Sequence, residues 1–262
     1  TRLYPSPGPW HGHLMTMPFV VLFAISVWAG IQNALAGGGT FLTLPALMLT
    51  GMTALAANIT STVALFPGQI ASSLSGRAHV AGAGGLSFKA LMAISFGGGI
   101  VGAILLLVTP SSIFRHLVPW LVLFATAVFA YGSFVPRKED RPPVLGKIGA
   151  GAAQFAISVY GGYFGGGIGF LMLAALTAAD LAMRNASAIK NVLAAVMNFS
   201  ATLIFVFSPQ LHWPQAAISC LGAVIGGTIG GHLVSRVNQK LLRAAAVLIG
   251  VALTIGLFLR AP

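Results

Sequence analysis

Apolar residues fill this chain in long blocks separated by short polar punctuation. No Asp, Glu, Lys or Arg occurs in residues 3–76, 148–179 or 191–235. One membrane span needs about 20 apolar residues, so these windows hold several helices. The first predicted helix runs from Leu14 to Ala36. Phe41 to Thr50 follows, a segment of only about 15 Å at the usual helical rise. Gly51-Met52-Thr53 turns the chain, and Ala54 to Ser75 runs on with an interruption expected at Pro67-Gly68. A loop carrying Arg77 and His79 ends at Ser87, a good helix cap for Phe88 to Val108. Pro110-Ser111-Ser112 turns the chain again, and Phe114 to Val135 crosses.

The second half repeats this plan. Lys147 to Phe164 reads as a helix, followed by a short segment from Phe170 to Ala178 and a turn at Asp180. Arg184 to Phe207, Ala216 to Val234 and Leu242 to Leu259 complete it. The expected organisation is an extramembrane segment over 1–13, a first transmembrane repeat over 14–135, a charged linker over 136–146 and a second repeat over 147–262.

Both halves turn on a glycine cluster. Ala36-Gly37-Gly38-Gly39-Thr40-Phe41 returns as Phe164-Gly165-Gly166-Gly167-Ile168-Gly169-Phe170. Gly in a helix interior costs about 1 kcal/mol against Ala, so three in a row predict that the helix stops. Inside a bilayer, irregular backbone survives only where protein or a watery cavity surrounds it. Matching interruptions in two halves are the sequence sign of a transporter's midplane site.

Composition places the chain in a membrane. It has 262 residues, 57% hydrophobic and 6% charged, with a mean hydropathy of +0.92, whereas soluble domains carry about 25% charged residues. The net charge of +11 reads as topology signalling by positive loops rather than nucleic-acid binding, since no soluble basic domain is present. If the glycine-broken hairpins return to the side they came from, Arg77, Lys89, Arg137, Lys138, Arg141, Lys147, Arg236, Lys240 and Arg243 share one face. The expected fold is therefore an all-α integral membrane protein of two homologous halves related as an inverted repeat. Its location is the inner (plasma) membrane, with many crossings and both termini on the non-cytoplasmic side. Cys220 falls in an apolar helix and says nothing of redox compartment. His11 and His13 on the leading segment are weak grounds for a metal, and no metal or cofactor is expected.

Aligning the halves on Phe41 and Phe170 sets Asn58, Thr60, Ser61 and Thr62 beside Ser187 to Asn191, and Gln69 beside Asn198. Lys190 is the basic side chain of this polar cluster, and a charge within lipid faces the bundle interior or a cavity; snorkelling to the interface is its alternative. A helix starting inside the membrane presents unpaired N–H groups and the positive end of its dipole, which hold anions without special side chains. The candidate substrate-binding set is Gly37, Gly38, Gly39, Thr40, Asn58, Thr60, Ser61, Thr62, Gln69, Gly165, Gly166, Gly167, Gly169, Lys190, Asn191 and Asn198. Tight helix packing is the other reading of the glycines. Phe41, Phe170, Tyr160 and Tyr163 could line or gate an organic tail, or simply pack. Carboxylates are scarce: Glu139 and Asp140 sit in the linker and Asp180 at a hairpin tip.

The run Gly37 to Pro45, then Gly51 and Thr60-Ser61, resembles the sulfite exporter TauE/SafE family, also called the toluene sulfonate uptake permeases. Gly165 to Phe170 with Lys190 and Asn191 is similar to that family's second repeat, and Gly98 to Ala103 to its glycine-rich third helix. Two departures are Asp180-Leu181, where members commonly show Gly-Leu, and Ala174 in the place of the repeat's proline. The resemblance implies transport of sulfite, sulfonates, sulfoacetate or thiosulfate. The expected partners are a small anionic substrate and the bilayer, as a monomer or a homodimer. A channel-like pore for anions and a carrier of other small organic acids are the alternatives. An intramembrane serine protease needs a Gly-x-Ser-Gly turn and a helix His, and a metalloprotease His-Glu-x-x-His; neither motif occurs.

Overall fold

The computed structural model describes residues 10–35, 38–74, 82–134, 145–179, 181, 183–233 and 239–260. They form ten helices: α1 (Trp10–Leu35), α2 (Thr40–Leu49), α3 (Ala54–Leu74), α4 (Phe88–Val108), α5 (Ser111–Phe134), α6 (Lys147–Tyr163), α7 (Ile168–Ala178), α8 (Met183–Phe205), α9 (Trp213–Leu233) and α10 (Gln239–Arg260). No strand occurs among these residues, apart from a single bridge between Ala83 and Leu86. The helix α1 starts at Trp10, four residues ahead of the apolar run. Most of the linker lies outside the described residues.

Local chemistry explains the helix ends. The chain leaves α1 at Leu35 and resumes as α2 at Thr40, and it leaves α6 at Tyr163 and resumes as α7 at Ile168. Gly38 (φ 90°), Gly165 (φ 80°) and Gly167 (φ 72°) take left-handed backbone there, a conformation that a Cβ makes costly. Thr53 caps α3 through Ala56 N–H at 3.2 Å, and Ser87 caps α4 through Ala90 N–H at 3.2 Å. The expected interruption at Pro67-Gly68 is not there: α3 is continuous from Ala54 to Leu74 with Pro67 inside it. Gly68 serves a neighbour instead, since a Cβ on it would lie 2.6 Å from the Ala223 carbonyl oxygen of α9.

Packing crosses between the sequence halves. Helix α9 packs most extensively on α1 and α3, and α4 on α6 and α8. Exchanging α1–α5 with α6–α10 turns the first pair of contacts into the second. The helices α5 and α10 touch each other, as do α3 and α8. Trp120 meets Phe258 with ring centroids 5.0 Å apart, and Thr126 lies against Gly250, so α5 and α10 run antiparallel. Phe23 opposes Gly222 and Ile31 opposes Gly230, so α1 and α9 run the same way. Three apolar clusters fill the interior, one around Phe41, Phe129 and Phe205, one around Met172, Ile189 and Met197, and a small one of Ala29, Leu65 and Ala223. Val20, Leu49, Trp120, Phe207 and Leu259 face outward, as lipid contact requires.

Candidate functional site

The two helix interruptions meet. The Thr40 hydroxyl at the start of α2 lies beside Gly165, ahead of α7, where a Cβ would stand 3.8 Å from it. The short helix α2 thus begins in the interior next to the glycine turn that precedes α7. The amides of Phe41 and Leu42 already donate, to Gly38 and Gly39 carbonyls at 3.0 Å each. Gly166 and Gly169 are buried, and a Cβ on Gly166 would press into the Phe164 ring at 2.6 Å. Gly37 lies outside the described residues.

The polar face of α3 pins both turns. Asn58, wholly buried, donates from Nδ2 to the Tyr163 carbonyl at 2.9 Å and so holds the end of α6. Its Oδ1 is buried without a hydrogen-bond partner among the described residues. One turn on, Ser61 and Thr43 share a hydrogen bond of 2.5 Å, and Thr43 donates on to the Gly39 carbonyl at 3.3 Å. A hydroxyl has one proton, so Ser61 is the donor to Thr43. Thr62 turns its hydroxyl back to the Asn58 carbonyl at 3.0 Å.

Three other candidates, Thr60, Gln69 and Asn198, bond away from the turns. Thr60 accepts a bond from His212 N–H at 3.3 Å and thereby fastens α3 to the segment before α9. Gln69 and Asn198 bond each other at 2.7 Å where α3 crosses α8. Lys190 is 7% exposed and occupies in α8 the position that Ser61 occupies in α3. Asn191 beside it is half-buried.

Two contributors escaped the sequence reading. Thr43 carries the hydroxyl chain to Gly39, and its spacing one turn into α2 was its signal. Phe129 of α5 lies between the leading phenylalanines of both short helices, with ring centroids 6.0 Å from Phe41 and 4.3 Å from Phe170. Ala125, one turn earlier, closes on Gly167. Nothing distinguishes Phe129 in an apolar helix of many aromatics. Tyr163 extends from the second turn to Thr109 Oγ1 at 3.3 Å. Near Thr109, a cavity of about 730 Å³ is lined by Leu55, Ser111, Leu203, Ser208 and Gln210.

Long apolar helices, a buried amine and helix starts in the interior fit a polytopic membrane protein. Comparison with known proteins gives the particular family. The sulfite exporter TauE/SafE profile matches residues 22–257, and the chain belongs to that family. It is 28% identical over 237 residues to the probable membrane transporter protein YfcA of Escherichia coli (strain K12), covering 89% of this chain and 87% of that protein. A probable membrane transporter protein of Haemophilus influenzae is 28% identical over 240 residues, covering 89% and 92%. The probable membrane transporter protein ORF9 of a Sinorhizobium species is 27% identical over 249 residues, covering 94% and 92%.

Proposed function

We propose that the chain is a secondary carrier for small sulfur-containing anions of the sulfite, sulfonate, sulfoacetate or thiosulfate class. It works by alternating access about a site between the two glycine turns. The observation that carries this reading is the placement of Thr40 beside Gly165. Two helix N-termini that start side by side in the interior add their positive dipole ends. At α2 an anion is received by the Gly39 and Thr40 amides, since those of Phe41 and Leu42 are engaged. Lys190, buried in α8, adds a full positive charge. Ser61 and Asn58 hold the turns in register for the substrate.

The inverted repeat is part of this proposal. Interchangeable packing of the halves supports a two-fold relation, and the antiparallel run of the equivalent helices α5 and α10 favours an axis in the membrane plane. Each half then carries one glycine-broken hairpin, α1–α2–α3 or α6–α7–α8. Positive charge collected at the end with Lys89 and Lys147 favours non-cytoplasmic termini.

The test is uptake of labelled sulfite by purified protein in liposomes, with an organic sulfonate and a carboxylate as competitors. Saturable uptake, blocked by the sulfonate and lost in Lys190→Ala, is expected. Flux that never saturates means a channel-like pore instead. Competition by the carboxylate alone moves the reading to small organic acids.

A further inference from the structure

We infer that the bodies that move in transport are not the two sequence repeats. One body is α4 with α6, α7 and α8; the other joins α1–α3 to α9, and α5 and α10 pack chiefly on each other. This deepens the carrier reading above and rests on it for its functional meaning.

Two kinds of contact separate these bodies. Within them, α1 and α3 meet α9, and α4 meets α6 and α8, backbone to backbone. A Cβ on Gly68 would lie 2.6 Å from Ala223 O, on Gly222 2.7 Å from Phe23 O, and on Gly99 2.6 Å from Met197 O. Such places have no room for a side chain, so neither partner can rotate or slide against the other without a backbone clash. Among the described residues, each glycine whose Cβ would come within 3 Å of another helix's backbone makes that contact inside one body. Several of them weld the first sequence half to the second.

Between the bodies, contact runs along α3 with α8. Side chains make these contacts. Phe66 stacks on Phe199 at 5.6 Å, and Gln69 bonds Asn198 at 2.7 Å. Ring faces and single amide bonds re-form after a small displacement, whereas glycine-to-backbone seams do not. The seam also runs through the candidate site. Asn58 of one body holds the Tyr163 carbonyl of the other at 2.9 Å, and Thr40 of one faces Gly165 of the other. Displacement along this seam therefore parts the two helix starts, which a substrate must enter and leave.

Spin-label distances test the division. Cys220 is first replaced by Ala, and paired labels are placed at outward-facing sites. Val20 with Leu221, and Leu105 with Phe155, join different sequence halves inside one body. Ile70 with Ile104, and Leu203 with Leu221, join different bodies within one half. Distances are read in liposomes with and without sulfite, on protein whose flux is measured in parallel. The expected result is a shift or a second population for the two cross-body pairs, with the two within-body pairs unchanged. A shift of Val20–Leu221 or Leu105–Phe155 overturns the division. So does active flux with all four distances fixed. Cross-body pairs that sample two distances in protein inert toward sulfite support the division and sink the substrate reading alone.

Discussion

Gln69 and Asn198 stand 129 positions apart and hydrogen-bond each other at 2.7 Å. That separation is the same offset that sets Phe41 against Phe170, so each residue bonds its own equivalent from the other half. In a two-fold assembly only a residue beside the axis can do so. The bond fixes where the axis of the proposed repeat passes between α3 and α8.

Breaking this bond should cost little by itself. Hydrogen bonds between membrane helices average about 0.6 kcal/mol in double-mutant cycles. Gln69→Ala, Asn198→Ala and the double variant, compared by thermal unfolding in detergent, should give a coupling of that order. Strictly additive losses would mean that the pair does not hold the crossing together.

Gly165→Ala and Gly38→Ala force an L side chain into left-handed backbone, at a cost of about 1–2 kcal/mol each. Both variants should melt earlier and lose sulfite flux. Gly97, in the open on α4 with nothing within 4 Å of a Cβ, is the control: Gly97→Ala should be neutral or stabilising by up to about 1 kcal/mol. Equal damage at Gly97 and Gly165 would remove the conformational argument for the turns.

Thr43→Val strands the buried Ser61 hydroxyl, and an unsatisfied buried polar group costs about 1–3 kcal/mol. Adding Ser61→Ala should recover part of that loss, because the stranded group is gone. Melting temperatures of the two single variants and the double variant measure it. A double variant as weak as the sum of the singles would show that the two hydroxyls act separately.

Thr60 separates scaffold from site. Thr60→Ala removes the acceptor for His212 N–H and should cost about 0.5–1.5 kcal/mol of stability while the Michaelis constant for sulfite stays unchanged. Lys190→Ala should do the reverse, abolishing uptake with a smaller change in melting. A raised Michaelis constant in Thr60→Ala would return Thr60 to the substrate contacts.

Much of this architecture was legible in the residues themselves. Three glycines in a row disfavour a continuous helix, and the chain leaves α1 at Leu35 to resume as α2 at Thr40, and α6 at Tyr163 to resume as α7 at Ile168. Ser87 announced its helix by its own side-chain chemistry. Pro67 misled because a proline suggests a break, yet α3 runs through it and Gly68 belongs to the seam with α9. Of the polar candidates, Asn58, Ser61 and Thr40 gather at the turns, while Thr60 serves α9. Spacing along a helix gives the face of a residue, but which neighbour covers that face is decided by tertiary packing. For the same reason the exchange of α4 and α9 between the halves, and the place of Phe129 between Phe41 and Phe170, were invisible in the text of the chain.

The joining of α1–α3 to α9 has a consequence for biosynthesis. The glycine-lined surfaces of α1 and α3 are made early, but their covering helix, Trp213–Leu233, leaves the ribosome only after five other helices. Those surfaces must wait in the bilayer while α4, α6, α7 and α8 can assemble at once. A chain truncated before Trp213 should therefore insert yet remain a target for membrane quality-control proteases, and supplying α9–α10 as a separate fragment should rescue it.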